Sequence, residues 1–130
     1  AHIPVHLGST PLSVRAAMED IDFKGGESAF LNDPYRGGSH LPDVTVVTPV
    51  FAPDTAEPVF YVANRAHHAD VGGRLPGSLV PLRGVDGRLH DVSIDDEGIR
   101  IPPTILSNET REHFAQASGM PGERRGDLRA

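Results

Sequence analysis

At 130 residues the chain has room for one modest domain with a real core, resting on Val, Leu, Ile and a few Phe, since Trp is absent. A net charge of −6, with no basic cluster beyond the Arg124-Arg125 pair that Glu123 and Asp127 flank, gives no support to nucleic-acid binding. The lack of cysteine removes disulfide frameworks and thiolate metal sites and suits a cytoplasmic setting, and no apolar run approaches the about 20 residues of a membrane span or resembles a signal peptide.

Glycine (14) and proline (12) are both frequent, which favours many turns and short elements over a helical bundle. "HLGSTPLSVRAAMEDI" (6–21) carries a helix start signal. Thr10 suits the cap and Pro11 the first helical position, Val14, Ala17, Met18 and Ile21 form one stripe, and Gly25 and Gly26 stop the run. "ESAFLN" (27–32) is a short strand candidate, followed by turn chemistry in "NDPYRGG" (32–38), where Asp33 shapes the turn ahead of Pro34. "DVTVVTPVF" (43–51) is β-branched and apolar and predicts a largely buried strand. "PDTAEP" (53–58) makes a turn, and "VFYVAN" (59–64) pairs back as the second strand of a hairpin. A further hairpin is expected around Asp86-Gly87 within 79–94, then a turn and an edge segment in "IDDEGIRIPP" (94–103) that its prolines terminate. "SNETREHFAQASG" (107–119) predicts a second helix, capped by Ser107 or Asn108 and ended by Gly119. The expectation is α+β: a mainly antiparallel sheet with a central hairpin, one N-terminal and one C-terminal helix, and many loops. The chain opens at Ala1 and stops at "GDLRA" without a closing element, so a segment of something longer is expected.

The chemistry-bearing residues gather at two strand ends. His40 and Asp43 precede or open the first long strand, and His67, His68 and Asp70 follow the second. In an antiparallel hairpin the start of one strand lies beside the end of the other, so "HLPD" (40–43) should face "AHHAD" (66–70). Imidazole and carboxylate together suit Mn²⁺, Fe²⁺ or Zn²⁺, and three protein ligands leave positions for water or substrate. The candidate ligands are His40, Asp43 and one histidine of the pair. Successive side chains of an extended chain point to opposite faces, so one of His67 and His68 ligates while the other carries protons or supports the site. Asp70 is placed to orient a histidine from behind. Arg65, with its neighbour Asn64, is a candidate for holding an anionic substrate group. The same residues also fit plainer roles: solvated strand ends, a cap or turn at Asp43, and a surface ion pair at Arg65. Gly37-Gly38 sits in no nucleotide-binding pattern, and His90 and His113 read as surface residues.

Several stretches taken in order resemble the hydantoinase B/oxoprolinase family: "HIPVHLGS" (2–9), "NDPYRGGSHLPDVTVVTPVF" (32–51), "ANRAHHADVGG" (63–73), "PGS" (76–78), "EGIRIPP" (97–103) and "GDLRA" (126–130). The family holds B subunits of ATP-dependent hydantoinases, the C-terminal half of 5-oxoprolinase, and a subunit of acetone and acetophenone carboxylases. The resemblance implies that residues 1–130 are a single segment of such a domain, truncated at both ends, near the N-terminus of a longer B subunit. It also implies a divalent metal held by His40, Asp43 and one histidine of the 67–68 pair, His67 the first choice, Mn²⁺ ahead of Zn²⁺ or Fe²⁺, with His68 and Asp70 as catalytic or supporting groups. ATP would be used by an A-type partner subunit, and the reaction would open a small cyclic amide, hydantoin or 5-oxoproline. Two alternatives stand beside this: an acetone carboxylase-type subunit using the same ligands, and a non-catalytic fragment that only folds or binds in its complex. "LVPLRGVDGRLHDVSIDD" (79–96) and "ASGMPGERR" (117–125) follow the family pattern loosely.

Overall fold

The computed structural model describes residues 6–74, 87 and 93–118. These residues form an α+β structure in chain order: helix α1 (Ser9–Asp20), strands β1 (Ala29–Leu31), β2 (Asp43–Phe51), β3 (Pro58–His67) and β4 (Thr104–Ile105), and helix α2 (Asn108–Ala117). The strands make one antiparallel sheet in the order β3-β2-β1-β4. No described helix is long and apolar enough to cross a membrane.

The sheet carries a layer on each face, and the pleat decides which side chain goes where. Val47, Ala29 and Leu31 face α1 and pack with Ala17 and Phe23, joined by Val14, Ile21, Tyr61 and Ala63. Val44 and Phe30 point the other way, into a second cluster with Leu41, Val71, Ile101 and Phe114. Phe30 meets Phe114 of α2 edge-on at 6.1 Å between ring centroids, and full burial of each such ring contributes about 2–3 kcal/mol. β1, covered on both faces, is buried at all its positions. β3 lies at the sheet edge, and Phe60 and Val62 on its outer face stay more than half exposed.

The hairpin is the backbone of the fold. β2 takes the bounds its β-branched run predicts, whereas β3 runs from Pro58 to His67, past the expected end at Asn64. The extension follows from pairing: Thr45 lies opposite Arg65 and Asp43 opposite His67, so polar side chains find partners on the buried face. Near the hairpin turn the register is irregular between Val50 and Phe51. Phe60 pairs with Val50 and Pro58 with Phe51, which leaves Val59 as an extra, bulged residue.

Three expectations are corrected. Helix α1 begins at Ser9 with Gly8 at the cap, so Thr10 and Pro11 fall inside the first turn. The first turn is held instead by tertiary bonds, since the Ser9 hydroxyl accepts from Arg65 of β3. The helix ends at Asp20, and its buried face is Ser13, Ala16 and Ala17, while Met18 is exposed. The edge strand forms after Pro102-Pro103, at Thr104–Ile105, because prolines have no N–H to give a ladder. Ser107 caps α2 reciprocally with Thr110, as the sequence implies. The hairpin expected around Asp86-Gly87 lies outside the described residues apart from Gly87 and the end of its range at Ser93 and Ile94, and His90 and Gly119 lie outside them too.

The loop "NDPYRGGSHLP" (32–42) connects β1 to β2 and sets the approach to the first strand end. Asp33 accepts from the Tyr35 N–H at 2.9 Å, shaping the turn as expected. Gly37 then takes φ 89°, a conformation that disfavours any side chain, and a Cβ there would lie 2.5 Å from the Leu12 carbonyl oxygen. The bare backbone lets the loop touch α1, where the Ser13 hydroxyl donates to the Gly37 carbonyl. Asn32, fully buried, clips the loop to the 99–101 segment. Its amide donates to the carbonyls of Leu41 (2.8 Å) and Ile99 (2.9 Å) and accepts from the Ile101 N–H (2.6 Å).

Candidate metal centre

Asp43 is the first residue of β2 and His67 the last of β3, and the antiparallel register places them opposite one another. His40 reaches the same point from the turn before β2, where the Asp43 N–H donates to the His40 carbonyl at 3.0 Å. His67 Nδ1 lies 3.0 Å from Asp43 Oδ1, and His40 Nδ1 lies 3.2 Å from Oδ2. One ligand atom from each of His40, Asp43 and His67 falls within 4.8 Å of the others. The two imidazoles stack loosely, with ring centroids 5.3 Å apart. The Asp43 side chain is 1% exposed, while those of His40 and His67 are 47% and 62% exposed. A buried carboxylate thus forms the floor, and two solvent-facing imidazoles form the rim.

Burial pushes the Asp43 carboxyl up, but the surrounding donors outweigh it. The hydrogen bonds of His67 and Ser39, the charge of His40 and the hydrogen bond of His6 hold the group below the usual carboxylate range. Asp43 is therefore an anion in the folded chain at neutral pH, ready to ligate. Two imidazole nitrogens and one carboxylate fit a borderline divalent cation such as Mn²⁺, Fe²⁺ or Zn²⁺.

Two features of the site go beyond the residues read from sequence spacing. His6, just ahead of α1, places Nε2 2.6 Å from Asp43 Oδ2 with its side chain only 14% exposed. Ser39 donates to the same oxygen at 3.0 Å. The sequence signals for His6 were its position beside the start of α1, 37 residues from Asp43, and its place in the family-like stretch "HIPVHLGS" (2–9). The second feature is the setting of Arg65. Its guanidinium lies on the Asp43 face and donates to Thr45 at 2.7 Å, Ser13 at 2.8 Å, Ser39 at 3.3 Å and to Ser9. Burial lowers the Arg65 pKa and Asp43 partly restores it. The surface ion pair considered from sequence is thus replaced by a hydroxyl network that binds α1 to the sheet beside the site.

The other candidates are placed apart from this cluster. His68 points to the opposite face, 5% exposed, with its ring 5.8 Å from that of Phe114 and its N–H on the Pro42 carbonyl at 2.8 Å. The pleat sends it into the core, away from Asp43, so the expected proton carrier does not stand at the site. Asp70 accepts from the Gly72 N–H at 2.8 Å, closing a tight turn. Asn64 lies opposite Val46 on the outer face and is exposed, so it does not share a face with Arg65. His113 is exposed on α2, as expected.

The profile of the family described as Hydantoinase B/oxoprolinase matches residues 1–130. A 5-oxoprolinase of Saccharomyces cerevisiae is 54% identical over 82 residues, covering 62% of this chain and 6% of that protein. A 5-oxoprolinase of Dictyostelium discoideum is 45% identical over 101 residues, 76% of this chain and 7% of its own length. Among solved structures, the crystal structure of the ATP-dependent caprolactamase from Pseudomonas jessenii superposes with a TM-score of 0.74 at 26% identity, over 97% of this chain and 22% of that one. The chain therefore spans a small part of the relatives it matches. The match runs through both strand ends that build the His40–Asp43–His67 cluster, and the chain belongs to the hydantoinase B/oxoprolinase family.

Proposed function

We propose that this chain supplies the metal-binding part of an ATP-dependent cyclic-amide hydrolase. The observation that carries the reading is the convergence of His40, Asp43 and His67 ligand atoms within 4.8 Å at the junction of two strand ends. The names of its relatives, 5-oxoprolinase and ATP-dependent caprolactamase, both denote enzymes that act on lactam rings.

In this reading His40 and His67 give imidazole nitrogens and Asp43 gives its carboxylate to a divalent cation, with Mn²⁺ favoured. A cation so held supplies Lewis acidity and lowers the pKa of water, which is what opening an activated amide requires. The chain's own residues set the conditions. Asp43 stays anionic because its donors outweigh burial, and the exposed rims of His40 and His67 leave the site open on its solvent side. Arg65 adds a positive charge on the same face, suited to an anionic substrate group close by. His68 serves the core, against Phe114. The substrate is a small cyclic amide of the 5-oxoproline or hydantoin class. ATP is used by an A-type partner subunit, and the rest of a longer B subunit completes the pocket.

Metal analysis after equilibration with Mn²⁺ tests the reading. Wild type should hold one equivalent, and His40→Ala and Asp43→Ala should lose it. A wild type without stoichiometric metal, or variants that retain it, would sink the site. With an A-type partner and the longer B subunit, ATP-dependent consumption of 5-oxoproline or hydantoin is expected. Turnover confined to acetone and bicarbonate would assign the chain to a carboxylase instead.

A further inference from the structure

We infer that His6 is a positioning residue of this centre, holding the Asp43 carboxylate in the orientation in which it meets a cation. The inference rests on the metal reading above and adds a residue that lies outside the three-ligand set.

The carboxylate has two oxygens with different surroundings. Oδ1 faces His67 Nδ1 at 3.0 Å, and Oδ2 faces His6 Nε2 at 2.6 Å, Ser39 Oγ at 3.0 Å and His40 Nδ1 at 3.2 Å. A nitrogen that gives its lone pair to a cation no longer serves Asp43 as a hydrogen-bond donor. Once His40 and His67 ligate through Nδ1, the hydrogen bonds left on the carboxylate are those of His6 and Ser39. His6 makes the shorter of the two, and its Nε2–H donates to a side chain that is 1% exposed. Such a charge-assisted bond in a buried setting is the kind that fixes a ligand's plane. The ligand atoms of His40, Asp43 and His67 lie mutually within 4.8 Å, and His6 stands outside that set.

His6 is itself held in place. Its carbonyl accepts from the Thr10 hydroxyl at 3.3 Å in the first turn of α1. That turn is tied to β3 through Ser9 and Arg65, and Arg65 reaches Ser39, which donates to Asp43. A closed circuit of hydrogen bonds thus runs from Asp43 through His6, α1, Arg65 and Ser39 back to Asp43. The seating of α1 and the orientation of the carboxylate are one construction.

The test is Mn²⁺ affinity of the 130-residue chain, by titration calorimetry, for wild type, His6→Ala and His6→Gln. His6→Ala should weaken Mn²⁺ binding roughly ten- to a hundred-fold. His6→Gln, which keeps a donor at the end of a side chain of similar reach, should recover to within a few-fold of wild type. The d–d absorption of the Co²⁺-loaded chain should keep its shape in His6→Gln, because no ligand is exchanged. Wild-type affinity in His6→Ala overturns the inference, and so does a folded His6→Gln as weak as the alanine variant. A changed Co²⁺ spectrum in His6→Gln also overturns it, since His6 would then bind the ion itself. If His6→Ala does not fold, the glutamine variant carries the test. A wild type that binds no Mn²⁺ defeats the metal reading. Binding that ignores position 6 defeats only this inference.

Discussion

Asp43 and His67 form the last register pair of the β2–β3 ladder, and their side chains close it with a 3.0 Å contact between Oδ1 and Nδ1. The next residue, His68, points the opposite way and packs on Phe114. Adjacent histidines thus answer to different demands, and substitution should separate them. His67→Ala should abolish stoichiometric Mn²⁺ binding while leaving the thermal midpoint of the metal-free chain within a few degrees of wild type. His68→Ala should keep the metal and lose about 2 kcal/mol of stability, from an edge-on aromatic contact and a partly emptied core site. Metal content and denaturant melts, measured on the same two proteins, check both halves.

The depressed pKa of Asp43 has a definite acid signature. Burial pushes the carboxyl up, and His67, Ser39, His40 and His6 together bring it below its ordinary value. The unfolded chain, titrating near about 3.9, then binds more protons than the folded one across the interval between the two values. The stabilising contribution is complete above the unfolded value and is lost as pH falls through the folded one. Asp43→Asn lacks it at every pH. The gap in melting temperature between wild type and Asp43→Asn, recorded by calorimetry in chelator, should narrow steadily as the solution is acidified below about pH 4. A gap that widens in acid contradicts the assignment.

Arg65 joins three elements through a planar fork. Arg65→Lys keeps the charge but cannot reach Thr45, Ser13, Ser39 and Ser9 together. A loss of about 2 kcal/mol is expected, with faster amide exchange concentrated in the first turns of α1. Exchange rates that rise evenly across the sheet instead would mean that Arg65 does not anchor the helix.

Asn32 offers a test of the loop that delivers His40. Asn32→Ala leaves the Leu41 and Ile99 carbonyls and the Ile101 N–H without their partner in a buried setting. The expected cost is roughly 3 kcal/mol, since each orphaned group forfeits about 1 kcal/mol or more. Asn32→Asp should do no better, because it replaces a donor to two carbonyls with an acceptor. Urea melts of both variants settle the magnitude.

The hairpin and its chemistry were legible because they obey local rules. The β-branched run from Asp43 to Phe51 reads as a buried strand, and antiparallel return brings the 66–70 stretch beside Asp43, though not which of its two histidines meets the carboxylate. What escaped has a common cause in distance along the chain. His6 lies 37 residues from the carboxylate it touches. The hydroxyls around Arg65 come from α1, the 32–42 loop and β2, and no spacing rule links them. The cap at Thr10 was displaced for the same reason, as tertiary bonds through Ser9 took over the helix start. β4 formed beyond the prolines, where backbone N–H groups become available again.

The bulge at Val59 lies at the far end of β3 from the site, yet it fixes the parity of everything after it. From Phe60 onward the strand counts in twos, so Tyr61, Ala63, Arg65 and His67 all turn toward α1 while Phe60, Val62 and Asn64 turn away. One surplus residue beside the hairpin turn thereby selects which of two neighbouring histidines meets Asp43. Deleting Val59 with Pro58 still opposite Phe51 would only straighten the strand, keeping Phe60 opposite Val50 and His67 opposite Asp43, whereas drawing Val59 into the ladder opposite Val50 would turn His67 to the Phe114 side.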